Sequence, residues 1–300
     1  MTAVDGAPVV VVASFRAQHL LHACLHSLLP QCAASGAQVI VARDERCGDL
    51  AAIAAAYPSL VVVSAPAGAS VPVLRGVGLS SATTRGVAVL VEDHCVAAAD
   101  WLVTLLREME DASVAGGGMA NAQTARAIDW GAYFSEYGFF DATRREGDSR
   151  IPLLTGANVA YADAVRDDVT RWMRAGAWEN TVHLRLAAEG HRFRFVPGAV
   201  IAQNLRYGFA AFCDDRFVHG RDFARTRLRL ARTGGARRIA MALLAPCLPA
   251  LLTVRLWRMA AGRTESRRRA FVRALPFTVA FLAAWSIGEA VGYGLGPDDA

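Results

Sequence analysis

Lysine is absent: all 32 basic residues of the 300-residue chain are arginine. That excludes a Walker-type phosphate loop, a lysine Schiff base and a lysine-dependent kinase site. The six cysteines, at 24, 32, 47, 95, 213 and 247, form no CxxC pair and no framework spacing. They read as free thiols in a reducing compartment. No basic region precedes the short first apolar run, so no signal peptide is expected. Acids are nearly missing from one long stretch. Residues 225–273 hold thirteen arginines and one acid, Glu265, whereas residues 1–224 hold nineteen arginines and twenty-three acids. The net charge of +5 therefore joins a slightly acidic body to a strongly basic tail.

The body alternates short apolar runs with helical patterns. Val9-Val10-Val11-Val12-Ala13 reads as a strand buried on both faces. In His19 to Leu29, the residues Leu20, Leu21, Cys24, Leu25 and Leu28 share one helical face. A strand at Gln38–Ala42, a helix at Asp49–Ala56 and a strand at Leu60–Val63 follow. This alternation predicts right-handed βαβ units and an α/β fold with a mostly parallel sheet between helices.

Val87–Val91 is the next fully apolar run, and it ends in Glu92-Asp93-His94. Ligands of open α/β sheets sit beyond the carboxyl ends of the strands, so these three residues are the candidate centre. The ordinary alternative is a solvated turn. Asp44, after the second strand, falls on the same sheet edge, where it could join the cluster or cap the turn that follows.

The order of parts resembles the family 2 glycosyltransferases with the GT-A fold. The motifs are Ser14-Phe15-Arg16 after the first strand, Ser27-Leu28-Leu29-Pro30-Gln31 at the end of the helix, and Leu74-Arg75-Gly76-Val77-Gly78 before the acidic cluster. Further along come Trp101-Leu102, Thr155 to Tyr161, Trp178-Glu179-Asn180, and Glu189 to Pro197. The resemblance implies a GT-A catalytic domain over 1–224 that binds a nucleotide-sugar donor. It also implies a divalent cation, manganese or magnesium, on Glu92, Asp93 and His94. Ser14, Asp44, Arg75, Glu92 and Asp93 would contact the donor. The family's Asp-any-Asp is here Glu92-Asp93-His94, whose imidazole suits manganese better than magnesium. The first of the paired acids ending the second strand is replaced by Arg43, leaving Asp44.

In this resemblance Glu179 is the general base that takes the acceptor's proton while the anomeric centre inverts. Its bland alternative is a first-turn glutamate complementing a helix dipole. Gly156, Ala157, Asn158 and Trp178 would line the acceptor site. Arg216, His219 and Arg221 would clamp the diphosphate, although the related Gln-any-any-Arg-Trp survives only as Cys213, Arg216 and Phe217. Residues 114–121 read as an edge strand. Residues 131–150 read as a long loop of the kind that serves as a lid or binding surface; its Tyr133, Phe134, Tyr137, Phe139 and Phe140 could offer an acceptor platform, the ordinary alternative being packing against the body.

The tail, 225–300, is expected to associate with a membrane. Ile239–Val254 is apolar but broken by Pro246 and Pro249, and arginines flank it on both sides. It is therefore expected to form an interfacial or re-entrant hairpin on anionic headgroups. Ala274–Leu295 is long enough to span, with Glu289 inside it and Gly288 and Gly292 at a small-any-any-any-small step that could also serve an oligomer. The expectation is a membrane-associated inverting transferase at the cytoplasmic face of the cell membrane, acting on a lipid-linked or membrane-proximal acceptor. No nucleic-acid partner is expected. The competing reading is a degenerate donor-binding or scaffold protein. A nucleotidyltransferase is set aside, because its Gly-rich loop and lysines are missing.

Overall fold

Every residue of the first strand is buried, which is what a run of valines with helices on both sides of the sheet requires. The computed structural model describes residues 6–144, 154–231, 234–261 and 263–296. In chain order the elements begin β1 (Val9–Ser14), α1 (Gln18–Ala34), β2 (Gln38–Asp44), α2 (Leu50–Ala56), β3 (Val61–Ala65), α3 (Val71–Ser80) and β4 (Ala88–Glu92). They continue with β5 (Cys95–Ala97), α4 (Trp101–Arg107), β6 (Val114–Asn121), α5 (Ala127–Tyr137), β7 (Asn158–Tyr161), α6 (Asp163–Arg174) and α7 (Glu179–Ala188). The last are β8 (Phe193–Gln203), α8 (Phe209–Ala231), α9 (Gly235–Leu244), α10 (Leu248–Ala261) and α11 (Glu265–Leu295).

Two compact units result. One comprises Met1–Ala120 with Phe140–Asn204; the other comprises Asn121–Phe139 with Leu205–Ala300. Residues 205–224 and α5 thus pack with the C-terminal helices, a different kind of division from the functional one expected at residue 224.

The first unit holds an eight-stranded sheet in the order β3-β2-β1-β4-β7-β6-β8-β5. β3, β2, β1 and β4 are parallel, as the βαβ pattern predicts; β7 is antiparallel to both β4 and β6. Residues 114–121 are therefore an interior strand, not an edge. Their glycines admit neighbours: a Cβ on Gly117 would overlap Asn158 and the Ala199 carbonyl. In α1 the buried stripe of Leu20, Leu21, Cys24, Leu25 and Leu28 lies where the periodicity predicts it. The end of α1 is tied by Gln31, whose amide donates to Ala98 O (2.8 Å) and accepts from Leu102 N (2.9 Å). Gly78 lets α3 lie against the sheet, since a Cβ there would overlap Val11.

His183 of α7 and Tyr161 of β7 form a buried pair, 2.8 Å from Nε2 to the hydroxyl. Burial pushes the imidazole down to about 4, with Glu179 opposing. Between pH 6.5 and 4 the unfolded chain therefore takes up a proton that the folded chain refuses, so stability falls as pH falls through that window. The loss at pH 5 should be about 2 kcal/mol relative to pH 7. Urea titrations of His183→Gln at the two pH values should show this slope removed; an unchanged slope contradicts the assignment.

In the second unit, residues 131–137 belong to α5 and are not loop, because Tyr133, Phe134 and Tyr137 form its buried face. The remainder of the expected loop from residue 145 onward lies outside the described residues. α8 and α11 approach very closely. A Cβ on Gly220 would overlap the Trp285 carbonyl, and one on Gly288 or Gly292 would overlap the carbonyl of Phe217 or Arg221. The small-residue step is thus used inside the chain. Glu289 is bonded within its own helix, to Tyr293 Oη (2.8 Å) and Trp285 Nε1 (3.2 Å).

Candidate active site

Register brings the polar residues into line. Ser14 pairs with Arg43 and Ala13 with Glu92, so the carboxyl ends of β2, β1 and β4 present Arg43, Ser14 and Glu92 along one edge. A polar row runs from there. Arg43 Nη1 donates to Ser14 Oγ (2.7 Å), and Ser14 Oγ donates to Asp93 Oδ2 (3.0 Å). Asp93 Oδ1 lies 3.7 Å from His94 Nδ1, and His94 Nε2 lies 3.6 Å from Glu92 Oε2. Arg75 Nη2 donates to Glu92 Oε1 (2.5 Å), and its Nη1 donates to Glu179 Oε2 (2.9 Å).

Asp93 is the structural anchor of the row. It is fully buried, and Oδ2 also accepts from the backbone N–H groups of Phe15 and Arg16, each at 2.8 Å. This carboxylate clamps the chain leaving β1. Arg43, standing where an acid was expected, is likewise buried; it donates to Ser14, Gly48 O and Arg16 O. Asp44 takes the alternative its sequence left open. Its carboxylate accepts from Arg46 N (2.9 Å), the Arg46 guanidinium and Gly68 N, and the Arg46 bond holds it below the usual carboxylate range.

Among the described residues no group of three or more His, Cys, Asp or Glu side chains is arranged to hold a metal ion. Asp93 Oδ2 is committed to β1 and its Oδ1 faces His94 Nδ1, while Glu92 Oε2 and His94 Nε2 face each other further along the row. Their 3.6 Å separation can be bridged by one ion about 2.1 Å from each. That spacing fits a divalent cation held by two protein ligands.

Glu179 opens α7, where the helix dipole favours a carboxylate, and its side chain is 23% exposed beside the 1% exposed Arg75. It is the most accessible carboxylate of the row's Arg75 pair. Trp178 precedes it as the N-terminal cap residue. Gly156 and Asn158 are spent on the fold rather than on an open surface. A Cβ on Gly156 would overlap the Arg75 guanidinium. The Asn158 amide accepts from Trp101 Nε1 (2.8 Å) and donates to Gly118 O and Ala199 O. Ala157, between them, is buried.

Arg216, His219 and Arg221 belong to α8 of the second unit. Arg216 is buried between the rings of Trp285 and Phe212. It contacts His219 Nδ1 (2.6 Å) and Glu136 Oε1 (3.5 Å), which joins α8 to α5 and α11. Arg221 pairs with Asp222 (3.0 Å). Sequence reasoning singled out Arg75 but missed its two-carboxylate bridge, and it missed the Tyr161–His183 pair altogether; neither is signalled by spacing.

The family model described as "Glycosyltransferase like family 2" matches residues 7–234. The solved structure "Mannosyltransferase PcManGT from Pyrobaculum calidifontis in complex with GDP-Man and Mn2+" superposes with a TM-score of 0.54 at 15% identity, over 95% of this chain and 87% of that one. A second, "Crystal structure of GalNAc-T7 with UDP, GalNAc and Mn2+", gives a TM-score of 0.49 at 15% identity over 67% and 44%. No curated protein matches the sequence.

Proposed function

We propose, for a chain that belongs to glycosyltransferase-like family 2 and carries its GT-A fold, transfer of a sugar from a nucleotide donor to a membrane-proximal or lipid-linked acceptor, with inversion. The observation that carries this reading is the bridge from Glu92 through Arg75 to Glu179 at the carboxyl edge of the parallel strands. It sets a donor-side carboxylate and an acceptor-side carboxylate in one fixed frame. Glu179 accepts the proton of the attacking hydroxyl, being the more exposed carboxylate of the bridge. Glu92 and His94 would hold a divalent cation, which supplies positive charge for the leaving diphosphate. Asp93 and Arg43 keep the β1 turn in place beneath the donor.

Thermal-shift screening of nucleotide sugars, beginning with GDP-mannose, with and without manganese, tests the donor reading. A cation-dependent rise in Tm with one sugar nucleotide supports it. No shift with any of them favours the scaffold reading.

Membrane association is supported by the second unit. Gly235–Ala260 (26 residues) and Glu265–Leu295 (31 residues) are each long and apolar enough to cross a bilayer. Ile239, Leu243, Leu244, Leu251, Val254 and Trp257 are exposed on the first of them. α11 is held by three glycine contacts against α8, which carries Arg221, Asp222 and Arg225. A spanning α11 would draw that charged helix into hydrocarbon, which favours an interfacial position, with arginines on anionic headgroups of the cytoplasmic face. In flotation with phosphatidylglycerol vesicles, the double variant Leu243→Asp/Leu244→Asp should lose at least tenfold in binding. Wild-type protein should be released by alkaline carbonate, and retention would argue for a span.

A further inference from the structure

The geometry points to Arg75 as a positioning residue that couples the two halves of the reaction; we propose that its guanidinium fixes Glu179 relative to Glu92. The inference rests on the reading of Glu179 as the base. Three elements distant in sequence meet at one side chain: Arg75 from α3, Glu92 from β4 and Glu179 from α7, with the carboxylates 17 and 104 positions from the arginine. The guanidinium is a rigid planar fork, so holding Glu92 Oε1 on Nη2 and Glu179 Oε2 on Nη1 sets the separation and mutual orientation of the carboxylates. The fork is itself confined. Arg75 is 1% exposed, and the backbone at Gly156 lies so close that a Cβ would overlap Nη1, Cζ and Nη2. A group enclosed this completely cannot swing out to collect a diphosphate without opening the Gly156 turn. Its role is to hold rather than to bind. With Oε2 engaged, Oε1 is the oxygen of Glu179 left to receive the acceptor's proton.

A lysine would place one point charge where two directed bonds are needed, so Arg75→Lys keeps the charge and breaks the fork. The test is a pair of double-mutant cycles on the full-length protein in lipid vesicles. The probe is manganese with GDP-mannose, or with the sugar nucleotide that stabilises the protein most. Transfer is read in the Arg75→Lys/Glu179→Gln cycle and donor hydrolysis by water in the Arg75→Lys/Glu92→Gln cycle. Arg75→Lys is expected to lower kcat for transfer at least tenfold with acceptor KM changed less than threefold. In the Glu179→Gln background it should cost no further loss, and in the Glu92→Gln background no further loss of hydrolysis. Losses that multiply in both cycles, or a fully active Arg75→Lys, overturn the proposal. Full transfer by Glu179→Gln alone overturns the base assignment and with it the acceptor half of the coupling, while the Glu92 cycle still decides the donor half. Gly156→Ala, which crowds the fork without removing its charge, should reproduce the kcat defect should Arg75→Lys fail to fold; an unaffected kcat there counts against the proposal.

Discussion

Glu179→Gln is expected to lower transfer by about 10²- to 10⁴-fold while the donor-induced thermal shift persists, the range that removal of a general base produces. Glutamine is nearly isosteric and its amide oxygen can still accept from Arg75 Nη1, so the fork and the first turn of α7 should survive. What is lost, on the proposed reading, is the site that receives a proton. Since Glu92 and His94, the donor-side residues of the proposed reading, are untouched, the variant should separate proton removal from donor binding. Paired kinetics and thermal-shift measurements decide the matter. Equal loss of donor binding and transfer would assign Glu179 to the donor site instead. An undiminished rate would remove it from the chemistry.

The second large effect belongs to Asp93. Asp93→Ala leaves two backbone N–H groups, of Phe15 and Arg16, and the Ser14 hydroxyl without their shared acceptor inside the protein. A buried donor left unmade costs about 1–3 kcal/mol, in full for the buried Ser14 hydroxyl and less for the two partly buried N–H groups that water can reach, so the variant should be destabilised by about 3–5 kcal/mol. That is a large share of the roughly 5–15 kcal/mol typical of a domain. Ser14 also receives the Arg43 bond, so the disturbance should reach β2. Urea unfolding of Asp93→Ala and Asp93→Asn checks this, the asparagine variant being the milder because one acceptor oxygen remains. A loss below about 1 kcal/mol in the alanine variant would mean that the β1 turn is held by something else.

The two predictions treat neighbouring residues differently, a distinction that spacing could not make. Glu92, Asp93 and His94 are adjacent in sequence, and as a string they read as three equivalent ligands. Backbone direction divides them. Glu92 ends β4 in register with Ala13, whereas Asp93, one position further, turns under β1 and is sealed there. Asp44 shows the same division: an acid at a strand end can face a ligand or cap its own turn, and three donors from Arg46 and one from Gly68 decide for the cap. The resemblance puts Gly156 at an acceptor site; in the structure the group packed against its backbone is the protein's own Arg75 guanidinium.

By itself the sequence determined the alternation of strands and helices, the polar carboxyl edge, the missing lysine chemistry and the apolar, arginine-flanked tail. These are properties of local periodicity and composition, and each is written within a few residues of chain. Only the tertiary structure decided that β6 lies inside the sheet, that Arg216 is enclosed by Trp285 and Phe212, and that Gly288 and Gly292 serve α8. It alone brought Arg75 between Glu92 and Glu179. Such contacts join residues as much as 104 positions apart, and their partners are chosen by which side chains the packed elements leave within bonding distance, a quantity that no local pattern contains.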